Sequence, residues 1–200
     1  MASHLKHIYT PQEYLAMERA ASYKSEFCNG EIFAMSGASL EHNLIVTNTT
    51  ISLGNQLEGK DCDVLANDMR VKTVDSSLYT YPDIVVVCGE RRFEDASVDT
   101  LLNPKLIIEV LSPSTASYDR TKKFAYYRGI ESLQEYILIA QDECRVTQYV
   151  RQGTDTWIFH EATSLDEKIH LASVPCVLDL SRVYRRIEFP PDKEEESINH

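Results

Sequence analysis

Two short runs constrain this chain more than any other feature. Ile84-Val85-Val86-Val87-Cys88 and Leu106-Ile107-Ile108, the latter extended by Val110-Leu111, are apolar at consecutive positions. Strand side chains alternate between faces, so such runs demand cover on both faces of a sheet. Two hundred residues suffice for one domain of that kind, and 43% hydrophobic with 26% charged residues is the balance of a folded chain. No apolar run nears the roughly 18 residues of a membrane span. Met1 to His7 lacks an apolar signal core, so a cytoplasmic protein with no membrane partner is expected.

Around those runs the local signals are clear. Thr10-Pro11-Gln12-Glu13 carries a capping box with Pro at the first helical position, which predicts a helix to near Ala20. Asn29-Gly30, between Phe27 and Ile32-Phe33, predicts a hairpin. His42 to Glu58 places Val46, Thr50, Leu53 and Leu57 at helical spacing, with Gly59 as the stop. Leu44 and Ile51 add a second stripe, so this helix is expected to be covered on two sides. Strands are expected at Val64–Thr73, Asp83–Cys88 and Lys105–Leu111, then a helix from Ser117 to Arg128 ended by Gly129. Four more strands follow at Glu135–Ala140, Arg145–Arg151, Trp157–Glu161 and Lys168–Leu171. The reading is α/β or α+β: a mixed sheet flanked by two helices, with a trailing meander. Residues 1–187 form the domain, and 188–200 an acidic, disordered tail.

Charge and cysteine narrow the function classes. A net charge of −11 speaks against a protein that simply coats nucleic acid. Yet Lys105 to Arg128 holds five basic and two acidic residues, one positive island in an acidic chain. Cys28, Cys62, Cys88, Cys144 and Cys176 are odd in number and widely spaced, which predicts small buried hydrophobes rather than a disulfide framework or a zinc site.

Glu109 is the oddest residue, a carboxylate between Ile107 and Leu111 on one strand face. An unpaired buried carboxylate costs several kcal/mol, so it needs a metal, a basic partner or a catalytic reason. The competing reading is an edge strand with Glu109 in solvent, against which the apolar neighbours argue. Asp83, in Tyr81-Pro82-Asp83, opens the strand before it; alone, Pro-Asp is a common turn. On neighbouring strands the two acids would converge, as carboxylates do around a hard cation such as Mg²⁺.

Pro82-Asp83 followed by the strand acid Glu109 resembles the PD-(D/E)XK nuclease superfamily, with its restriction-endonuclease-like fold. More closely, five segments resemble the Uma-type restriction-endonuclease group, which is abundant in cyanobacteria. They are Glu26 to Met35, Pro82 to Val87, Ile108-Glu109-Val110-Leu111-Ser112-Pro113-Ser114-Thr115, Asp119 through Lys123 to Tyr127, and Glu135 to Leu138. The resemblance spans Thr10 to Arg182.

It implies hydrolysis of phosphodiester bonds in nucleic acid, DNA before RNA, assisted by Mg²⁺ or Mn²⁺. Asp83, Glu109 and the Val110 carbonyl would hold the ion, and Glu26 matches an early acid that completes the shell; on spacing alone Glu26 is equally an exposed hairpin residue. The superfamily's Glu-x-Lys lysine is Leu111 here, and the Uma-type lysine matches Lys123, on one helical stripe with Asp119 and Tyr127. Without the resemblance Lys122 and Lys123 read as ordinary solvated residues. Lys105, Arg120, Lys122 and Arg128 would meet the nucleic-acid backbone, and paired sites would make a homodimer. The missing motif lysine leaves an alternative: an inactive nuclease-shaped module that binds DNA or a partner protein.

Overall fold

The computed structural model describes residues 7–75, 77–113 and 115–190. Helix α1, Pro11–Ala20, starts as its sequence dictates: the Thr10 hydroxyl accepts the Glu13 N–H while the Glu13 carboxylate accepts the Thr10 N–H. Asn29 and Gly30, both at positive φ, turn β1 (Ser25–Cys28) into β2 (Glu31–Ala34). Helix α2, Leu40–Leu57, begins earlier than His42 because Ser39 caps it, accepting the His42 N–H. It buries Ile45, Val46, Leu53 and Leu57, but the expected cover over a second stripe is only partial, with Leu44 half-buried. Ile51 is 53% exposed, since only one side of α2 lies on the sheet.

Two strands, β3 (Cys62–Ala66) and β4 (Arg70–Lys72), replace the single one expected over Val64–Thr73. Asn67 between them adopts φ 62°, a left-handed conformation that Asn tolerates, and the Asp68 N–H closes on Ala66 O at 2.8 Å. The chain thereby leaves one sheet for another. There follow β5 (Leu78–Thr80), β6 (Ile84–Cys88), β7 (Thr100–Leu101) and β8 (Leu106–Leu111). The regular helix expected over Ser117–Arg128 is three joined pieces: α3 (Ala116–Tyr118), a π-helical turn (Asp119–Lys123) and α4 (Phe124–Tyr127). Then come β9 (Glu135–Ala140), β10 (Val146–Gln152), β11 (Thr156–Ala162), β12 (Lys168–His170), β13 (Val177–Asp179) and α5 (Leu180–Val183).

The central sheet has strand order β11-β10-β9-β8-β6-β3, with β8 and β9 parallel and the other pairs antiparallel. A second sheet runs β2-β1-β5-β4-β7, and β12 pairs with β13 apart from both. The expected double cover is present. Ile84, Val86, Leu106, Ile108 and Val110 pack in one cluster with α2 and α5, while Val85, Val87, Ile107 and Leu111 pack in the other with Tyr127 and Leu133. Tyr14, Phe27 and Tyr79 form a smaller aromatic core between α1 and the second sheet. No helix among the described residues is long and apolar enough to cross a membrane.

One cysteine expectation fails. Cys62 and Cys88 form a disulfide, because the β3–β6 register sets them directly opposite, Cα to Cα 4.0 Å. Cys28, Cys144 and Cys176 are free. At the other end, Ile187 and Phe189 still pack on the first cluster. From residue 191 the expected acidic tail lies outside the described residues.

Candidate active site

The register of the central sheet builds the site. Ile84 pairs with Ile108 in the antiparallel β6–β8 ladder, so the next step outward sets Asp83 opposite Glu109. Glu109 points to the side that carries the π-helical turn, while Asp83, just before β6, lies between β8 and the start of α2. Here β6 has ended, and the Asp83 carboxylate takes over its pairing: Oδ2 accepts the Val110 N–H at 2.7 Å. Asp83 Oδ1 accepts from His42 Nε2 at 2.9 Å. His42 can reach it because the Ser39 cap fixes the first turn of α2 at the end of the strand.

Glu109 is 4% exposed, and its Oε1 accepts from Tyr127 OH at 2.9 Å and Lys123 Nζ at 3.2 Å. Lys123, 7% exposed, also lies 3.3 Å from Glu26 Oε1 and 3.4 Å from Asp119 Oδ1. One ammonium thus serves three carboxylates that arrive from β1, β8 and the π-helical turn. The wider π turn places Asp119, Lys123 and Tyr127 on the buried side, and such turns recur at functional sites. Glu26 is held from behind by the Thr80 hydroxyl, which donates to its Oε1. Tyr136 OH donates to the Asp119 carbonyl at 3.1 Å.

Burial pushes the Glu109 carboxyl up to about 8; Lys123 opposes this, while Asp119, Asp83 and Glu26 add to it. Asp119 is raised by the same burial. Burial alone would lower the Lys123 ammonium, but Glu109, Glu26 and Asp119 more than offset it and hold it well above its ordinary value. Lys123 is therefore charged, and Glu109 is the carboxyl readiest to keep a proton.

The acids, His42 and Lys123 face one cavity of about 690 Å³, lined by Glu26, His42, Asp83, Glu109, Asp119 and Lys123 among others. Four carboxylates face it, joined by the ammonium groups of Lys123 and Lys24, and Lys24 is already paired with Asp68 at 2.8 Å. Negative charge is in excess, the condition under which a carboxyl retains a proton or a site binds a cation. No group of three or more His, Cys, Asp or Glu among the described residues is close enough together to cage a metal by itself. Mg²⁺ does not need one, since it is held by one or two carboxylates with waters. The hard oxygens of Asp83 and Glu109 fit that demand.

Of the residues singled out from sequence, Glu26, Asp83, Glu109, Val110 and Lys123 all line this cavity. The four basic residues expected to meet a nucleic-acid backbone do not. Lys105 stands at the opposite end of β8 and lines a different cavity, with Gln134 and Arg151. Arg120 turns toward β10, its Nη1 3.5 Å from Thr147 Oγ1. Lys122 is exposed, and the Arg128 guanidinium lies over the Phe124 ring. Sequence reasoning gave no mechanism to His42, Asp119 or Tyr127. For the last two the signal was the stripe shared with Lys123; for His42 only the cap at Ser39 pointed there.

The mixed central sheet, with Asp83 and Glu109 at the ends of adjacent strands and Lys123 on Glu109 from the following helix, has the α+β, restriction-endonuclease-like architecture. The chain belongs to the Uma2 family, described as "Putative restriction endonuclease", whose model matches residues 11–182. It is 39% identical over 165 residues to the uncharacterized protein sll1609 of Synechocystis sp. (strain ATCC 27184 / PCC 6803 / Kazusa), covering 82% of this chain and 93% of that one. The uncharacterized protein slr1290 of the same strain is 32% identical over 180 residues, 90% and 93% of the two chains. A crystal structure from Anabaena variabilis ATCC 29413, of "a putative nuclease belonging to DUF820", superposes with a TM-score of 0.72 at 20% identity. The match covers 88% of this chain and 97% of that chain, and it shows the shared fold.

Proposed function

We propose that this chain is an endonuclease that hydrolyses phosphodiester bonds of nucleic acid, DNA rather than RNA, with Mg²⁺ or Mn²⁺ as cofactor. The convergence of Asp83 and Glu109 beside Lys123, in one acidic cavity, carries the reading. Asp83, Glu109 and the Val110 carbonyl are the groups that would hold the ion. When bound, such a cation lowers the pKa of a water and offsets charge on the phosphate.

The chain's own residues supply the rest. His42 and the Val110 N–H fix both oxygens of Asp83, so that carboxylate is oriented before any ligand arrives. Tyr127 and Lys123 do the same for Glu109. Lys123, kept charged by three acids, is the donor available to a phosphate oxygen as negative charge develops on it. Glu26 positions that ammonium from the second sheet. The family description, a restriction endonuclease, supports a nuclease.

The test is cleavage of circular double-stranded and single-stranded DNA by purified protein in Mg²⁺, in Mn²⁺ and in EDTA. Cutting that requires the metal and is lost in Asp83→Ala supports the reading. Binding in Ca²⁺ without cutting in any metal would instead favour the non-cleaving module, to which Leu111 in the usual lysine position lends weight.

A further inference from the structure

Phe33 does not match its surroundings. It lies on β2, the outer strand of the second sheet, paired directly opposite Glu26. Cross-strand partners project from the same sheet face, so this ring stands beside the carboxylate that touches Lys123. It lines the cavity while 51% exposed, and Met35, 38% exposed, lines the same wall. A cavity that holds four carboxylates and two ammonium groups therefore has an apolar, aromatic flank left in water.

The cations tell the complementary story. Duplex DNA is gripped through its phosphates, by many Lys and Arg whose charge is free to pair with them. Here Lys24 is engaged by Asp68, and Lys123, held among three acids, offers one charge at the reacting centre rather than a row of charges along a backbone. Lys105, Arg120, Lys122 and Arg128 point elsewhere. A single strand is drawn by positive charge too, but it also offers what a duplex hides, the flat faces of its bases, and these stack on aromatic side chains with little regard to sequence. Met adds a polarizable contact suited to such faces.

We infer that Phe33 and Met35 form a stacking wall for an unpaired base next to the scissile phosphate, making single-stranded or locally unpaired nucleic acid the substrate class. This inference rests on the nuclease reading above.

The experiment uses the full chain and three labelled probes of one sequence: single-stranded DNA, single-stranded RNA and blunt duplex DNA. Fluorescence anisotropy in Ca²⁺ measures binding, and cleavage in Mn²⁺ is followed in parallel with Asp83→Ala as control. Single strands should bind more tightly than the duplex. Phe33→Ala should weaken single-strand binding on the order of tenfold and raise KM more than it lowers kcat. Phe33→Trp should restore binding and show indole quenching when a strand is added. Phe33→Ala binding single strands as well as the unaltered protein, or a preference of that protein for duplex, overturns the inference. If Asp83-dependent cutting persists in that case, the nuclease reading survives alone. A protein that neither binds nor cuts any probe overturns both.

Discussion

Lys123→Met removes the ammonium that Glu26, Glu109 and Asp119 share at 3.2 to 3.4 Å, while keeping most of the aliphatic volume. Lys123 is 7% exposed and Glu109 4%, so water does not replace what is lost. Taking one partner from a buried ion pair costs about 3–5 kcal/mol. The carboxyls can soften this by taking up protons, and Glu109 is already raised to about 8 by burial. A carboxyl whose folded-state pKa exceeds its unfolded value favours the folded state below that pKa and penalises it as pH rises through it. The loss should therefore approach the full value near pH 9 and shrink toward pH 6. Urea unfolding in EDTA at those two pH values measures it; for a chain of this size about 3 kcal/mol corresponds to about 6–12 °C in Tm. A loss under about 1 kcal/mol at the higher pH, or an equal loss at both, would refute the assignment of three carboxyl partners to Lys123.

Other consequences are as concrete. In metal-free protein, carboxyl-resolved NMR should find one side chain titrating far above the usual glutamate range, and Glu109→Gln should remove that signal. His42→Ala should leave the fold intact but free one oxygen of Asp83, lowering turnover about 10- to 100-fold. Lys122→Ala, at an exposed position outside the cavity, should change stability by no more than about 0.5 kcal/mol and leave turnover within a few-fold. Reducing the Cys62–Cys88 bond, which closes a separation of 26 residues, should cost about 3 kcal/mol of stability in a comparison of reducing and non-reducing unfolding curves.

Much of this was legible where the chemistry is local. Runs apolar on both faces marked β6 and β8 as central strands, and Glu109 stood out because nothing in its own strand could satisfy it. The capping box and Asn29-Gly30 announced α1 and the first hairpin. What escaped depended on three-dimensional register. Nothing around Asn67 says that β3 and β4 belong to different sheets, since both halves read as good strand. The Cys62–Cys88 pairing exists only once β3 lies against β6. His42 is a polar residue in the first turn of α2, and its contact with Asp83 comes from where α2 begins relative to β6. The basic island misled for the same reason. Lys105, Arg120, Lys122, Lys123 and Arg128 are close along the chain, yet a strand, a π turn and a loop send them in different directions, and only Lys123 reaches the acids.

The central claim is that Asp83 and Glu109 together hold a catalytic cation. Mn²⁺ binding followed by electron paramagnetic resonance, in the unaltered protein and in Asp83→Asn and Glu109→Gln, tests it without depending on the substrate. One tightly bound Mn²⁺ per chain, displaced by Mg²⁺ and lost or greatly weakened in both variants, is the predicted result. Binding that survives both substitutions, or no bound Mn²⁺ in the unaltered protein, would contradict it.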